Sequence, residues 1–151
     1  MSTAEEIYEK VVRVLAESLY VEEGNLLPAA TLQGDLGAES LDFLEIVFRL
    51  EHEFEIDIPE DELFPRSVFQ SNPTFTHNGR ITDQGMNELR SRMPYADLRA
   101  FDQDRRLSAV PDLFTVGLVV RYVAWKLGKD AGAVTIGADS FQQHKALAHP
   151  E

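Results

Sequence analysis

The chain has 151 residues, no cysteine and a formal net charge of -12, with 26 acidic against 14 basic side chains. That balance disfavours nucleic acid and anionic membranes as partners, because both repel such a surface. The missing cysteine excludes disulfides, thiolate metal sites and a protein thiol nucleophile. No apolar run approaches the ~18 residues that span a bilayer, and residues 1–6 lack a basic-then-apolar leader, so the expectation is a cytoplasmic protein of one elaborated domain.

In chain order, Thr3-Ala4-Glu5-Glu6 has the spacing of a capping box, and Ile7, Val11, Leu15 and Leu19 then mark one face of a first helix. Residues 20–39 read as a loop anchored by Leu26, Leu27, Leu32 and Leu36, with Gly34 and Gly37 near its end. A second helix is predicted from Ser40 to about Phe54. Ile58-Pro59-Glu60-Asp61-Glu62-Leu63 follows as a short turn, with Pro59 suited to a first helical position.

Charge then changes character. Residues 1–65 carry 17 acids against Lys10, Arg13 and Arg49, whereas residues 66–111 carry seven arginines against five acids. Such a switch marks two zones. Within the second zone Asn72-Pro73 and Asn78-Gly79 are turn signals. Thr82 is placed to cap a helix running through Met93, and a shorter helix is predicted from Tyr95 to Asp102. Pro111-Asp112 closes the segment. A last strong helix is predicted from Thr115, its cap, to Leu127, with Gly128 as its stop and a loosely held tail to Glu151. The fold expected from this order is all-α.

The helix beginning at Ser40 has two apolar stripes. At 100° per residue, Phe43, Ile46, Val47, Leu50 and Phe54 share one face, and Leu41, Leu44 and Phe48 share another about 140° away. Asp42 and Glu45 lie between the two. A surface helix needs one apolar stripe. The second is either core, in a helix buried on two sides, or a docking surface rimmed by carboxylates for a basic partner. By position alone Ser40 reads as the helix cap. The same position also suits a phosphodiester, because free N–H groups and the helix dipole favour an anion there.

The run Leu36-Gly37-Ala38-Glu39-Ser40-Leu41-Asp42 resembles the phosphopantetheine attachment motif of acyl carrier proteins. The likeness extends through Glu45, Glu51, Glu53-Phe54 and Ile58 to Glu62, and to Phe114-Thr115-Val116 at the start of the last helix. The resemblance implies a four-helix bundle. It also implies a covalent 4′-phosphopantetheine on Ser40, installed from coenzyme A by a separate phosphopantetheinyl transferase. The thiol of that arm would hold acyl groups as thioesters in fatty-acid, lipid or polyketide-type biosynthesis. Glu39, Leu41, Asp42, Leu44, Glu45, Phe48 and Glu51 match positions that meet partner enzymes with basic docking patches, which favours docking for the second stripe. Glu39 stands where the family usually has Asp.

The resemblance divides the chain into a carrier bundle, residues 1–65 and 112–128, a mainly helical insertion, residues 66–111, between the second and last long helices, and a tail, residues 129–151. On the last helix Val116, Val119, Val120, Val123 and Leu127 form the core stripe, and Leu118, Tyr122 and Trp125 lie opposite. An uncovered Tyr122 and Trp125 would be unfavourable. The insertion is therefore expected to cover that face through Phe69, Phe75, Met86, Leu89, Tyr95, Leu98 or Phe101, with help from Ile136 and Phe141. The arginines Arg90, Arg92, Arg99, Arg105 and Arg106 are expected either to pair with the acidic carrier surface or to reshape its docking face. His52, His77, His144 and His149 fall in no HExxH pattern, and there is no GxSxG elbow or phosphate-cradling glycine loop. The expectation is a non-enzyme without a metal site. The alternatives are an aminoacyl or peptidyl carrier and an unmodified carrier-like adaptor.

Overall fold

A computed structural model describes residues 3–69 and 73–131. Helix α1 spans Ala4–Leu19. Its capping box forms: the Thr3 hydroxyl accepts from the Glu6 N–H at 3.1 Å, and the Glu6 carboxylate accepts from the Thr3 N–H at 2.9 Å. Ile7, Val11 and Leu15 are buried, with Leu19 partly so. After a 3-10 turn at Glu23–Asn25, Leu26 and Leu32 anchor the long loop in the core, and Leu36 packs partly against it. Leu27 is not an anchor but 62% exposed. The chain turns immediately after it, with the Ala30 N–H donating to the Leu27 carbonyl and the Pro28 carbonyl accepting from Gly117.

Helix α2 spans Ser40–Phe54 and runs antiparallel to α1. Two ion pairs record the register, Arg13 with Glu53 at 3.0 Å and Arg49 with Glu17 at 3.1 Å. Ile46, Leu50 and Phe54 are buried between the helices, with Phe43 and Val47 half-buried. The segment after α2 makes a turn closed by the Glu62 N–H and the Pro59 carbonyl at 3.1 Å. Pro59 therefore opens a turn and no helix.

Three short helices and a hairpin follow: α3 (Arg66–Phe69), β1 (Thr76–His77), β2 (Arg80–Ile81), α4 (Asp83–Arg92) and α5 (Arg99–Asp104), then a 3-10 helix at Leu107–Leu113 that contains Pro111. The hairpin is a departure from an all-helical reading. Asn78 and Gly79 take φ of 52° and 75°, the left-handed pair that a two-residue hairpin turn requires. Thr82 caps α4, accepting from the Gly85 N–H at 3.0 Å. Helix α5 begins at Arg99 and not at Tyr95. Pro94 follows the end of α4, and the Asp97 carboxylate binds the Arg99 N–H at 3.1 Å, giving α5 its start there. Residue 72 of the expected Asn72-Pro73 turn lies outside the described residues.

Helix α6 spans Val116–Ala131 and packs on α1 through Val116, Val119, Val120 and Val123. The Thr115 hydroxyl caps it, accepting from the Leu118 N–H at 3.1 Å. Gly128 does not stop this helix, which continues to Ala131. A glycine inside a helix costs about 1 kcal/mol relative to alanine, which the packed turns before it outweigh. The opposite face of α6 is covered too. Leu118 and Tyr122 are buried, and the Tyr95 ring lies 5.3 Å from both Tyr122 and Trp125. Ile136, Phe141 and the tail beyond residue 131 lie outside the described residues.

Five arginines of the 66–111 segment pair with acids of that same segment. Arg90 pairs with Asp102, Arg99 with Asp97, Arg105 with Asp83 and Asp102, and Arg106 with Asp104. Arg92 reaches the acidic first part, binding Asp61 at 2.9 Å as well as Glu88. The expected pairing across the two charge zones is therefore seen at Arg92.

Candidate functional site

The site is built around the start of α2. The loop leading to it is pinned to the start of α6: the Leu32 N–H donates to Phe114, the Ala38 N–H donates to Leu32, and Thr31 bridges Thr115. Gly37 takes a φ of 76°, which favours glycine. Ala38 is buried by this arrangement, so the approach to Ser40 runs over Gly37 and Glu39, not over Ala38.

Ser40 is not the cap. Glu39 occupies that place, with extended backbone, and its N–H donates to the Asp42 carboxylate at 2.8 Å. Ser40 is the first helical residue. Its hydroxyl is exposed and makes no hydrogen bond among the described residues. The N–H groups of Ser40 and Leu41 belong to the first turn, where no intrahelical acceptor exists. A free hydroxyl therefore stands at the positive end of a helix of 15 residues.

The second stripe of α2 is exposed: Leu41 by 80%, Leu44 by 52% and Phe48 by 60%. Among the described residues nothing buries this stripe, so they do not make it core. The acids around them differ in what they do. Asp42 closes the cap, Glu45 is held by Arg49 at 2.7 Å, and Arg49 also holds Glu17. Glu51 is turned to a structural use, accepting from the Ile58 N–H at 2.8 Å.

Two features of the surrounding bundle are scarcely marked in the sequence. Phe43, one turn into α2, packs edge-on against Phe64 at 4.8 Å, Phe64 against Phe114 at 5.3 Å, and Phe114 against Phe69 at 6.5 Å. The string joins α2, the turn after it, α3 and the start of α6. Glu62 accepts from both the Tyr122 hydroxyl and Lys126. Burial, followed by the Glu62 hydrogen bond and charge, pushes the ionisation of Tyr122 far above its ordinary range. A sequence signal for Phe64 existed only as an apolar residue in a turn, and none existed for the Glu62 pairing, whose partners stand 60 and 64 positions away.

Among the described residues no group of three or more His, Asp and Glu side chains is arranged to hold a metal ion. No described helix is long and apolar enough to cross a membrane. Residues 9–73 match the model of a family described as a phosphopantetheine attachment site. The residues present fit such a group, since the matched span contains an exposed, unengaged hydroxyl at a helix start. Residues 9–73, within a mainly helical fold, are thus a phosphopantetheine-binding domain, the kind to which 4′-phosphopantetheine is attached covalently.

Proposed function

We propose that Ser40 is the attachment residue and that the chain is an acyl carrier protein acting in fatty-acid, lipid or polyketide-type biosynthesis. The observation that carries this is the free Ser40 hydroxyl. Of the other described serines in the matched span, Ser18 is fully buried and Ser67 is bonded to Asp61 and Arg92. When bound, the prosthetic group supplies the thiol that this cysteine-free chain lacks. The chain's own contribution is positional: Glu39 and Asp42 fix the first turn of α2, and the helix N-terminus favours the phosphodiester charge.

The docking surface in this proposal is Leu41, Leu44 and Phe48, edged by Glu39, Asp42 and Glu45. Glu51 contributes at its margin, its carboxylate being engaged with Ile58. An acidic, apolar face suits the phosphopantetheinyl transferase and acyl-handling enzymes with basic patches around a hydrophobic socket. Its acidic surroundings support acyl cargo over an aminoacyl or peptidyl one. The carrier proper comprises residues 1–65 with the α6 region, and residues 66–111 are an insertion. In this reading the protein is a cytoplasmic carrier and not an enzyme, and among the described residues no side chain hydrogen-bonds the Ser40 hydroxyl.

Intact mass after incubation with coenzyme A, Mg²⁺ and a broad-specificity transferase tests the reading. One phosphopantetheinyl group gained by the wild type and lost in Ser40→Ala is the expected result. No gain with several transferases would instead support an unmodified adaptor. Mass analysis of the group on protein from the native host identifies the cargo.

A further inference from the structure

Among the described residues the exposed large hydrophobic side chains are Tyr20, Leu27, Leu41, Leu44 and Phe48, all within residues 20–48. Residues 17–48 contain seven acids and no lysine or arginine. The 66–111 segment adds no exposed large hydrophobic residue, and Arg90, Arg92, Arg99, Arg105 and Arg106 are all ion-paired. Apolar exposure and acidic charge thus fall in the same stretch of the chain.

Tyr20 is the member of this set that the fold does not explain. It is the C-cap of α1, with φ 58° and ψ 45°. That left-handed conformation strains most side chains and is met with less cost by glycine or asparagine. Its ring is 87% exposed and so gains almost nothing from the core. Neither local conformation nor packing selects a tyrosine there.

Its position follows from the ion pairs. Arg49 binds Glu17 on α1 and Glu45 on α2. The helices are antiparallel, so the step from Glu17 to Tyr20 and the step from Arg49 to Glu45 lead the same way. Both lead towards the half of α2 that bears Leu41 and Ser40. An enzyme whose active site reaches Ser40 covers about 800 Å² of the carrier. Phe48 stands about 12 Å along the helix from Ser40 at 1.5 Å per residue, so a footprint of that size takes in the adjoining end of α1.

We propose that Tyr20 is a specificity-determining contact for the phosphopantetheinyl transferase, extending the Leu41–Leu44–Phe48 surface across the seam between α1 and α2. This rests on the Ser40 reading. The partner it fits carries an apolar socket for the ring, bordered by lysine or arginine that meets the acidic stretch.

The test uses the full chain, coenzyme A and a broad-specificity transferase, with KM and kcat for the carrier measured by intact mass. Tyr20→Asn keeps a residue suited to left-handed backbone, and Tyr20→Phe keeps the ring. Expected are a roughly tenfold higher KM for Tyr20→Asn with kcat unchanged, near-wild-type values for Tyr20→Phe, and thermal midpoints that hold for Tyr20→Phe and hold or rise for Tyr20→Asn. Added salt should raise KM for every form while leaving the Tyr20→Asn ratio in place, because the ring contact is apolar. A Tyr20→Asn KM within twofold of wild type overturns the assignment, as does Tyr20→Phe proving equally impaired. A thermal midpoint lowered by more than about 5 °C would make the role structural and also overturn it. Wild type that gains no group at all removes the Ser40 reading, and this inference with it.

Discussion

The buried Tyr122 hydroxyl donates its hydrogen bond to Glu62, tying α6 to the turn that follows α2, and Lys126 donates to the same carboxylate oxygen. Glu62 is thus a clamp at the point where the chain leaves the first part of the bundle. The Tyr95 ring packs on the same Tyr122, so the 66–111 segment reaches the clamp from its other side.

Removing the clamp should be costly. Glu62→Ala leaves a buried hydroxyl and a largely covered ammonium without their acceptor, and an unsatisfied buried polar group costs about 1–3 kcal/mol. A loss of about 2–3 kcal/mol is expected in urea unfolding, with Glu62→Gln losing less because its amide oxygen still accepts. Equal stability of wild type and Glu62→Ala would show that the cluster contributes nothing.

Tyr95 offers the opposite case. Its ring is packed against Tyr122 and Trp125, but its buried hydroxyl has no partner among the described residues. Burial, with the nearby Glu62 charge, drives its ionisation well above the ordinary range. Tyr95→Phe removes the orphan group and keeps the ring, so stability should hold or rise by about 1 kcal/mol. Tyr95→Ala should lose about 3 kcal/mol and red-shift the emission of Trp125, the sole tryptophan. A destabilised Tyr95→Phe would reveal a hydrogen bond to that hydroxyl.

These relationships show what a sequence exposes and what it hides. The caps by Thr3, Thr82 and Thr115 were legible because each acts over three residues with a favoured capping type. Glu39 and Asp42 have the same spacing, but a serine stands next to them and glutamate is an uncommon cap, so capping preference points to Ser40, one residue beyond the true cap. The hairpin was half legible: Asn78-Gly79 announced a turn, whereas strands of two residues are too short to show alternation. Leu41, Leu44 and Phe48 were legible as a stripe, because helical periodicity is local. Their exposure was not, because it depends on what the rest of the chain leaves uncovered. The Glu62 clamp lay beyond reading altogether, since nothing local pairs residues so distant in the chain.

Acid should reveal the local arginine pairs. The side-chain hydrogen bond from Arg99 holds the Asp97 carboxyl at about 2. Asp102 and Asp104 are lowered in the same way by Arg105 and Arg106. An unfolded aspartate titrates near 3.9, so the folded state binds these protons less readily than the unfolded one. Their contribution is present above about pH 4 and is lost as pH falls towards about 2. Asp97 is half exposed, so its share is small after solvent screening. Asp97→Asn should make the fall in thermal midpoint between pH 4 and pH 2 slightly shallower, with Asp102 and Asp104 still contributing, and an unchanged slope would show that the Arg99 pair adds nothing.

The division of labour at the start of α2 can be separated by two substitutions. The Ser40 hydroxyl makes no hydrogen bond among the described residues, and alanine is a slightly better helix former than serine. Ser40→Ala should therefore change stability by less than about 0.5 kcal/mol while abolishing the mass gain from the transferase. Asp42 accepts from the Glu39 N–H and places a charge at the helix N-terminus, so Asp42→Ala should cost about 1 kcal/mol. Urea unfolding of the two variants side by side measures the difference. An unchanged midpoint in Ser40→Ala rules out unfolding as the reason for lost modification. A loss of about 1 kcal/mol or more would return the serine to a capping role and leave its hydroxyl engaged.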